Sequence, residues 1–310
     1  MIVLIVRFWV LTHLEGGLPM SAKNTKTQRN MGLAFFLNLG FTIIEIIGGF
    51  LTGSIAIISD AVHDLGDSIS IGVSWYLQKK SEKGADSHFT FGHKRLSLMG
   101  ALLNAAVLLA GSIYVLYEAG KRLFNPVNPN SEGMLWLAIL GIAVNGFAAY
   151  RLKKGDDGLN QKILSWHLIE DVLGWVAVLI VSIIMLFKDI PILDPLLSIG
   201  ITFYILYHVI KNLKETLGIL LDKVPKGINT NILEEKIRGI SSIEGLHHLH
   251  IWSIDGKEHA FSVHLEVPYD TERDSIVNIK NKIREHLKEL KVAHITIQFD
   301  FSGESCEKKE

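Results

Sequence analysis

Cysteine is nearly absent from this chain of 310 residues: Cys306, close to the end, is the only one. A single cysteine excludes an internal disulfide framework and a cysteine-based zinc site. Any metal that the chain binds must therefore be held by histidine, aspartate or glutamate side chains.

The chain also lacks a strong net charge, because its basic and acidic residues are nearly equal in number. The formal net charge is −1 at pH 7, and no run of like charges resembles a binding tail. Without a basic field the chain has no general attraction to a phosphate backbone, so we expect no nucleic-acid partner. The sequence also contains no P-loop, no HExxH motif and no nucleophile motif, and thus no signature of an ATPase or of a common hydrolase.

Apolar residues, in contrast, make up 48% of the chain, and its mean hydropathy is positive. A spanning helix needs about 20 mostly apolar residues. Six stretches meet this requirement: Met31 to Leu51, Ser54 to Gln78, Leu96 to Phe124, Glu132 to Leu152, Gln161 to Phe187 and Leu193 to Leu221. We therefore predict an α-helical polytopic membrane protein with six transmembrane helices and both termini on one side of the membrane.

Basic residues alternate between the connecting segments and predict the orientation. They lie before the first span and around the loops after the second and fourth spans: Lys23, Lys26, Arg29, Lys79, Lys80, Lys83, Lys94, Arg95, Arg151, Lys153, Lys154 and Lys162. The other three loops contain only Lys188. By the positive-inside rule, both termini and the tail after Leu221 are expected in the cytosol.

The chain divides into three predicted parts: a cytosolic lead over residues 1–30, a six-helix membrane domain over 31–222 and a cytosolic domain over 223–310. Residues 1–19 are too short to span a membrane and make a poor signal peptide, so we expect translation to begin at Met20. The last part has the pattern of a small α+β fold in the order α-β-β-α-β. Asp255-Gly256 between its first two strands predicts a hairpin with a type I′ turn.

Acidic residues interrupt the second span, which reads SIAIISDAVHDLGDSISIGVSW. Each central aspartate costs roughly 2.5 to 3.5 kcal/mol on insertion scales, so Asp60, Asp64 and Asp67 together cost on the order of 10 kcal/mol unless they face polar groups. His63 and Asp67 are four residues apart, which places both on one helix face, one turn from each other. This pair is suited to sharing one ion.

The fifth span repeats this spacing with His167 and Asp171. Two imidazoles and two carboxylates are the ligand number and type of a tetrahedral zinc site. The alternative is that these groups hydrogen-bond to each other or face a watery vestibule. Further acids in the spans are interpreted as residues that line the pathway or support the ligands: Glu45, Asp60, Asp64 and Glu170.

The order of these motifs resembles that of the cation diffusion facilitator family of zinc and proton antiporters. The resemblance covers most of the chain from Asn30 to Phe301 and rests on GSIAIISDAVHDLGDS, HLIEDVLG, HFTFGHKR, DPLLSI, LHIWSI and HITIQFD. It implies a transport site formed by His63, Asp67, His167 and Asp171, a homodimer, and a metallochaperone-like cytosolic domain. It further implies Zn²⁺ and protons as transported ions, membrane lipid as the surroundings and no prosthetic group. Because no histidine-rich run lies between the fourth and fifth spans, it favours a bacterial inner membrane.

A second metal site is considered in the loop after the second span. There Asp86, His88 and His93 resemble a loop zinc site of some relatives, although the two histidines are one residue further apart. The alternative is a solvated loop with ordinary histidines.

A third site is considered in the cytosolic domain, where it would hold a bound regulatory zinc. Strand alternation places His264 and Asp300 on one side of the sheet, and His247 would complete the group. Relatives that bind a zinc pair there have a histidine at the position of Gln298, which speaks against a full pair in this chain.

Imidazole and carboxylate groups bind zinc only when they are deprotonated, so protons compete for the same atoms. We therefore expect metal efflux by alternating access and proton antiport, with no enzyme activity. Two alternatives stay open. An intramembrane metalloenzyme is disfavoured because four protein ligands leave no open position for a substrate, and a metal sensor lacks a recognisable output domain. The ligand types do not decide among zinc, cadmium, cobalt and iron.

Overall fold

The computed structural model describes residues 20–81, 84–153 and 159–303. In this part of the chain six long helices come first: α1 Met20–Thr52, α2 Ile55–Ser81, α3 Leu96–Phe124, α4 Ser131–Lys153, α5 Leu159–Phe187 and α6 Leu193–Leu220. Each predicted span coincides with one helix to within a turn, except that α1 begins at Met20. The polar stretch before the first span continues this helix because no proline or glycine interrupts it. The predicted lead over 1–19 lies outside the described residues.

Four of these helices, α3 to α6, contain segments long and apolar enough to cross a membrane. The apolar part of α1 found by the same measure, Asn38–Thr52, is shorter, and α2 carries acidic residues near its middle. Large apolar side chains such as Ile113, Leu173 and Ile180 are exposed on the helix surfaces, as contact with lipid requires. The chain is a multi-pass helical membrane protein followed by a small domain with a sheet.

The small domain has the predicted element order α-β-β-α-β. Its elements are α7 Thr230–Arg238, β1 Gly245–Ser253, β2 His259–Val267, α8 Arg273–Lys288 and β3 Val292–Phe301. The sheet order is β1-β2-β3, with β1 antiparallel and β3 parallel to β2. Ile237 of α7 and Ile283 of α8 pack with Phe261 of β2 in one apolar core. The predicted alternation along β2 is confirmed, since Phe261 and Leu265 are buried and His264 lies on the other face.

The hairpin between β1 and β2 exists, but its predicted type I′ turn is wrong. Five residues, 254–258, separate the strands, and Gly256 has a φ of 91° while Asp255 does not lie in the left-handed region. The Asp255 carboxylate instead accepts hydrogen bonds from the backbone amides of Lys257 and Glu258, both at 2.9 Å. This side-chain contact stabilises a wider loop than the two-residue turn.

The described residues form two compact units. The first contains α1, α4 and α5 with most of α2, α3 and α6, and the second contains residues 77–99 together with the chain from 213 onward. Within the second unit, Arg95 donates to Asp222 (2.7 Å) and Lys94 donates to Glu258 (2.5 Å). The predicted chain boundaries at residues 30 and 222 remain predictions.

Trp175 is the largest fully buried side chain of the helical unit. It belongs to an apolar cluster with Ile57 of α2 and Met134 of α4, and Phe41 of α1 packs edge-on against its indole at 6.2 Å. Gly141 of α4 makes this packing possible, because a Cβ at that position would overlap the indole ring. Helices α1, α2, α4 and α5 therefore meet around one aromatic side chain.

Replacing Gly141 with alanine is expected to destabilise the helical unit by about 1 to 3 kcal/mol, the usual cost of an overpacked core. The measurement is the thermal unfolding midpoint in detergent. The matched control is Gly200→Ala in α6, where nothing lies within 4 Å of the added Cβ. Equal midpoints for the two variants would contradict the close packing of Trp175 on α4.

Candidate metal centre

Helix α2 brings two of the predicted ligands together. Nε2 of His63 lies 4.0 Å from Oδ2 of Asp67, and their side chains are 28% and 25% exposed. The contact follows from the spacing, because residues four apart on a helix are neighbours one turn away. Partial exposure leaves both groups accessible to an ion.

The second half of the predicted ligand set lies on α5. Asp171 is half-buried, and its carboxylate interacts electrostatically with those of Asp60 and Asp64 on α2. Gly174 also faces α2, since a Cβ there would lie 3.8 Å from Oδ1 of Asp60. The backbone of His167 belongs to α5, but its side chain lies outside the described part of the chain.

Further carboxylates surround this region. Asp60 and Asp64 are each 8% exposed and Glu45 of α1 is 1% exposed. The carboxylate of Glu45 interacts electrostatically with those of Asp60 and Asp64. The result is a cluster of acids shared by α1, α2 and α5, whose mutual repulsion favours a bound cation or protons.

Asn38 of α1 and Glu170 of α5 have different surroundings. The side-chain amide of Asn38 donates to the backbone oxygen of Asp64 (3.1 Å) and to Oγ of Ser68 (3.0 Å), so Asn38 joins α1 to α2 through hydrogen bonds. Glu170 is exposed and accepts a hydrogen bond from the hydroxyl of Tyr204 on α6 (2.9 Å). Its contact is thus to α6, whereas Asp171 interacts with α2.

In the cytosolic domain the sheet gathers His247, His264 and Asp300, as the sequence predicted. Oδ2 of Asp300 lies 3.1 Å from Nε2 of His247 and 3.2 Å from Nδ1 of His264. Each residue offers a ligand atom within 4.8 Å of the others, and among the described residues this is the one group of three such side chains. The strand register explains it, since His247 pairs with His264 and Glu266 with Asp300.

Asp300 has surroundings that favour its ionised, carboxylate form. Burial raises its pKa, but hydrogen bonds from Gln298 and His264 outweigh this effect and keep the pKa below its ordinary value. Gln298 donates to Oδ1 at 2.8 Å, which leaves Oδ2 to the two imidazoles. A carboxylate that stays deprotonated can serve as a metal ligand without first losing a proton.

Glu266, which was not among the predicted residues, also lies beside this group. Its Oε1 lies 3.5 Å from Nδ1 of His247, because it follows His264 by two residues on the same strand face. The alternation of residues along β2 could therefore have predicted that Glu266 lies on the same face as His264. The histidines also cluster because His248, at a bulge in β1, adopts a φ of 49° and brings its ring to 5.0 Å from that of His264.

The loop after α2 brings together only part of its predicted set. Nε2 of His93 contacts Oδ2 of Asp86 at 3.0 Å, whereas Nδ1 of His88 contacts the hydroxyl of Ser87 at 3.1 Å. Oδ1 of Asp86 accepts hydrogen bonds from the backbone amides of Phe89 and His88. These hydrogen bonds, with that of His93, lower the pKa of Asp86. Asp86 organises the turn, and His88 does not join it in a group of ligands.

Comparison with known proteins identifies both parts of the chain. Residues 31–221 match a family described as "Cation efflux transmembrane domain", and residues 225–301 match "Cation efflux protein, cytoplasmic domain". Among similar proteins is a cadmium, cobalt and zinc/H(+)-K(+) antiporter of Bacillus subtilis, 36% identical over 271 residues, which cover 86% of this chain and 87% of the relative.

Two other relatives are similar over most of their length. The zinc transporter ZitB of Yersinia pestis is 31% identical over 278 residues, covering 88% of each chain. The metal cation efflux system protein CzcD of Cupriavidus metallidurans is 30% identical over 289 residues, covering 91% of this chain and 89% of the relative. The chain therefore belongs to the cation efflux family, the cation diffusion facilitators that its ordered motifs resemble.

Proposed function

We propose that this protein exports a divalent transition metal, with zinc as the first candidate, in exchange for protons. The observation that carries the proposal is the pairing of His63 with Asp67 on α2, beside carboxylates that interact with Asp171 of α5. Family membership and relatives named as transporters of zinc, cadmium and cobalt support it. The interpretation as an intramembrane metalloenzyme has no support, since the chain belongs to a family of efflux proteins.

The proposed ligands are His63, Asp67, His167 and Asp171. Zinc bonds to nitrogen and oxygen are about 2 Å long, so two ligand atoms can be separated by about 4 Å at most. The 4.0 Å between Nε2 of His63 and Oδ2 of Asp67 is at this limit, and a small side-chain rotation would bring them to tetrahedral separation. The ligands on α5 would close the site from the opposite side.

Protons drive the exchange in this proposal. Metal binding requires a neutral imidazole and ionised carboxylates, so a proton that reaches these atoms displaces the metal. The buried acids Glu45, Asp60 and Asp64 lie in the same region, where they can hold protons or compensate the charge of a cation. Alternating access then exposes the site first to the cytosol and afterwards to the far side.

We further propose a homodimer in a bacterial inner membrane with both termini in the cytosol. The match of residues 225–301 to a cytoplasmic domain of cation efflux proteins supports the placement of the C-terminal domain. The alternation of basic residues between the loops supports the same orientation. The similar proteins come from bacteria, which supports the proposed location in a bacterial inner membrane.

Asp67→Ala should reduce zinc uptake by proteoliposomes to the level of protein-free vesicles, because it removes one of four ligands and no packed apolar group. Correct folding is checked by size-exclusion chromatography in detergent. Asp189→Ala, which removes an exposed carboxylate between α5 and α6, is the matched control and should transport normally. Zinc flux at the wild-type rate in Asp67→Ala would disprove the ligand assignment.

His63→Asp tests selectivity. The change replaces a borderline-soft nitrogen with oxygen, so transport should shift from zinc and cadmium toward manganese. It also removes an imidazole for which protons and the metal compete, so the dependence of flux on an imposed pH gradient should change. His286→Asp, on the exposed side of α8, should leave both properties unaltered. If His63→Asp keeps the wild-type metal ranking and pH profile, His63 does not contact the ion.

The cytosolic group of His247, His264 and Asp300 is proposed to bind a regulatory zinc ion. Asp300→Asn should then lower the number of tightly bound zinc ions by one per chain in calorimetric titration of the purified protein. Asp270→Asn, on an exposed loop of the same domain, should keep the wild-type number. An unaltered stoichiometry in Asp300→Asn would mean that the group binds no zinc.

A further inference from the structure

The N-terminus of α2 is capped by a residue from a distant helix. Asp194, near the start of α6, is 1% exposed. Its Oδ2 accepts a hydrogen bond from the amide of Ile55 (2.8 Å), and its Oδ1 accepts from the amide of Ala56 (3.3 Å) and the hydroxyl of Ser54 (2.5 Å). Oγ of Ser54 in turn accepts from the amide of Ile57 (3.2 Å). The first amides of α2, which have no partner within the helix, are thus satisfied.

The contact between α6 and α2 continues along both helices. Oγ of Ser198 donates to the backbone oxygen of Ile55 (3.4 Å), and the hydroxyls of Ser59 and Thr202 lie 2.9 Å apart. Asp194, Ser198 and Thr202 are spaced by four residues, as are Ile55 and Ser59, so one row of each helix meets the other. Every one of these side chains is almost fully buried. We call this set of contacts the α2–α6 clamp.

The row of α2 that takes part in the clamp leads to the proposed ligands. Continuing from Ser59 in steps of four residues reaches His63 and then Asp67. Residues in such a row lie above one another on the helix surface. A rotation or shift of α2 at Ser59 would therefore displace both ligands, and the clamp opposes it.

A basic residue from α3 completes this end of the helical unit. Arg122 donates to the backbone oxygen of Gly53 in the turn between α1 and α2, and its charge interacts favourably with the Asp194 carboxylate. The backbone amide of Asn130 donates to the backbone oxygen of Thr52, the last residue of α1 (2.7 Å). A nearby opposite charge offsets part of the cost of burying Asp194, so the turn and the start of α2 are held from several helices.

We propose that Asp194 is a positioning residue for metal transport: through the clamp it keeps α2 and α6 joined at this end throughout the transport cycle and fixes the direction of His63 and Asp67. This inference rests on the proposed transport function. It requires that α2 and α6 move as one pair at the clamp, so that access to the site changes by movements elsewhere.

A disulfide across the clamp tests whether the two helices stay joined. Ser59→Cys and Thr202→Cys are combined with Cys306→Ser, and zinc flux into proteoliposomes is measured before oxidation, after oxidation and after reduction. The cross-linked protein is expected to keep at least about half of the reduced rate, since a joint that does not open is unaffected by a covalent bond of ordinary geometry. The two single-cysteine variants control for oxidation itself.

Loss of flux on oxidation with recovery on reduction would overturn the inference, because it would mean that α2 and α6 separate in each cycle. Failure of the two thiols to couple would overturn it too, since it contradicts the contact between Ser59 and Thr202. Absence of zinc transport by the wild-type protein would instead refute the proposed function, so the two failures are distinct.

Asp194→Ala tests the effect on the ligands. Among correctly folded molecules, the zinc concentration that gives half-maximal flux should rise by about tenfold to a hundredfold, the usual loss when a group that orients metal ligands is removed. Asp194→Asn, which retains an oxygen acceptor for Ser54, should show a smaller rise, and Asp189→Ala none. A purely structural role would lower the yield of folded protein and leave the half-maximal zinc concentration unaltered, and that result would refute the positioning role.

Discussion

The cost of burying charge among apolar helices is the constraint on which this structure depends. Glu45, Asp60 and Asp64 are almost fully buried in helices that belong to a membrane protein. Such side chains are stable there only if they face each other, polar groups, water or a cation. The helices α1, α2 and α5 are arranged so that these acids share one region with Asp67 and Asp171, two of the proposed ligands.

Apolar packing and polar contacts stabilise the position of α2 on different sides of the helix. On one side Ile57 packs with Trp175 and Met134, an arrangement that depends on the absence of a side chain at Gly141. On the other side Asp194 and its neighbouring hydroxyls bind the helix through hydrogen bonds. Apolar packing alone would leave the direction of a helix weakly defined, whereas hydrogen bonds between specific atoms fix its rotation and its height.

In the cytosolic domain, strands instead of helices bring histidine and carboxylate side chains together. A three-stranded sheet with one buried face presents alternate residues on its other face, and the antiparallel register between β1 and β2 sets His247 beside His264. The parallel strand β3 then adds Asp300. In both units, a regular backbone period aligns side chains that are proposed as ligands, and a neighbouring element supplies a further carboxylate.

The sequence by itself determined the properties that repeat along one element. Apolar runs identified the six helices, alternation identified the strands and their buried face, and the spacing of four residues joined His63 to Asp67. These predictions succeeded because helix and strand periods are local, so each can be found without knowledge of the fold. The family motifs fixed the order of the two domains for the same reason, since they are read along the chain.

Only the tertiary structure decided which distant residues meet. It showed that Asp194 caps α2 at a separation of more than a hundred residues and that Glu266 lies beside His247. Such contacts depend on how helices and strands pack, because packing brings together atoms whose distance along the chain carries no periodic signal.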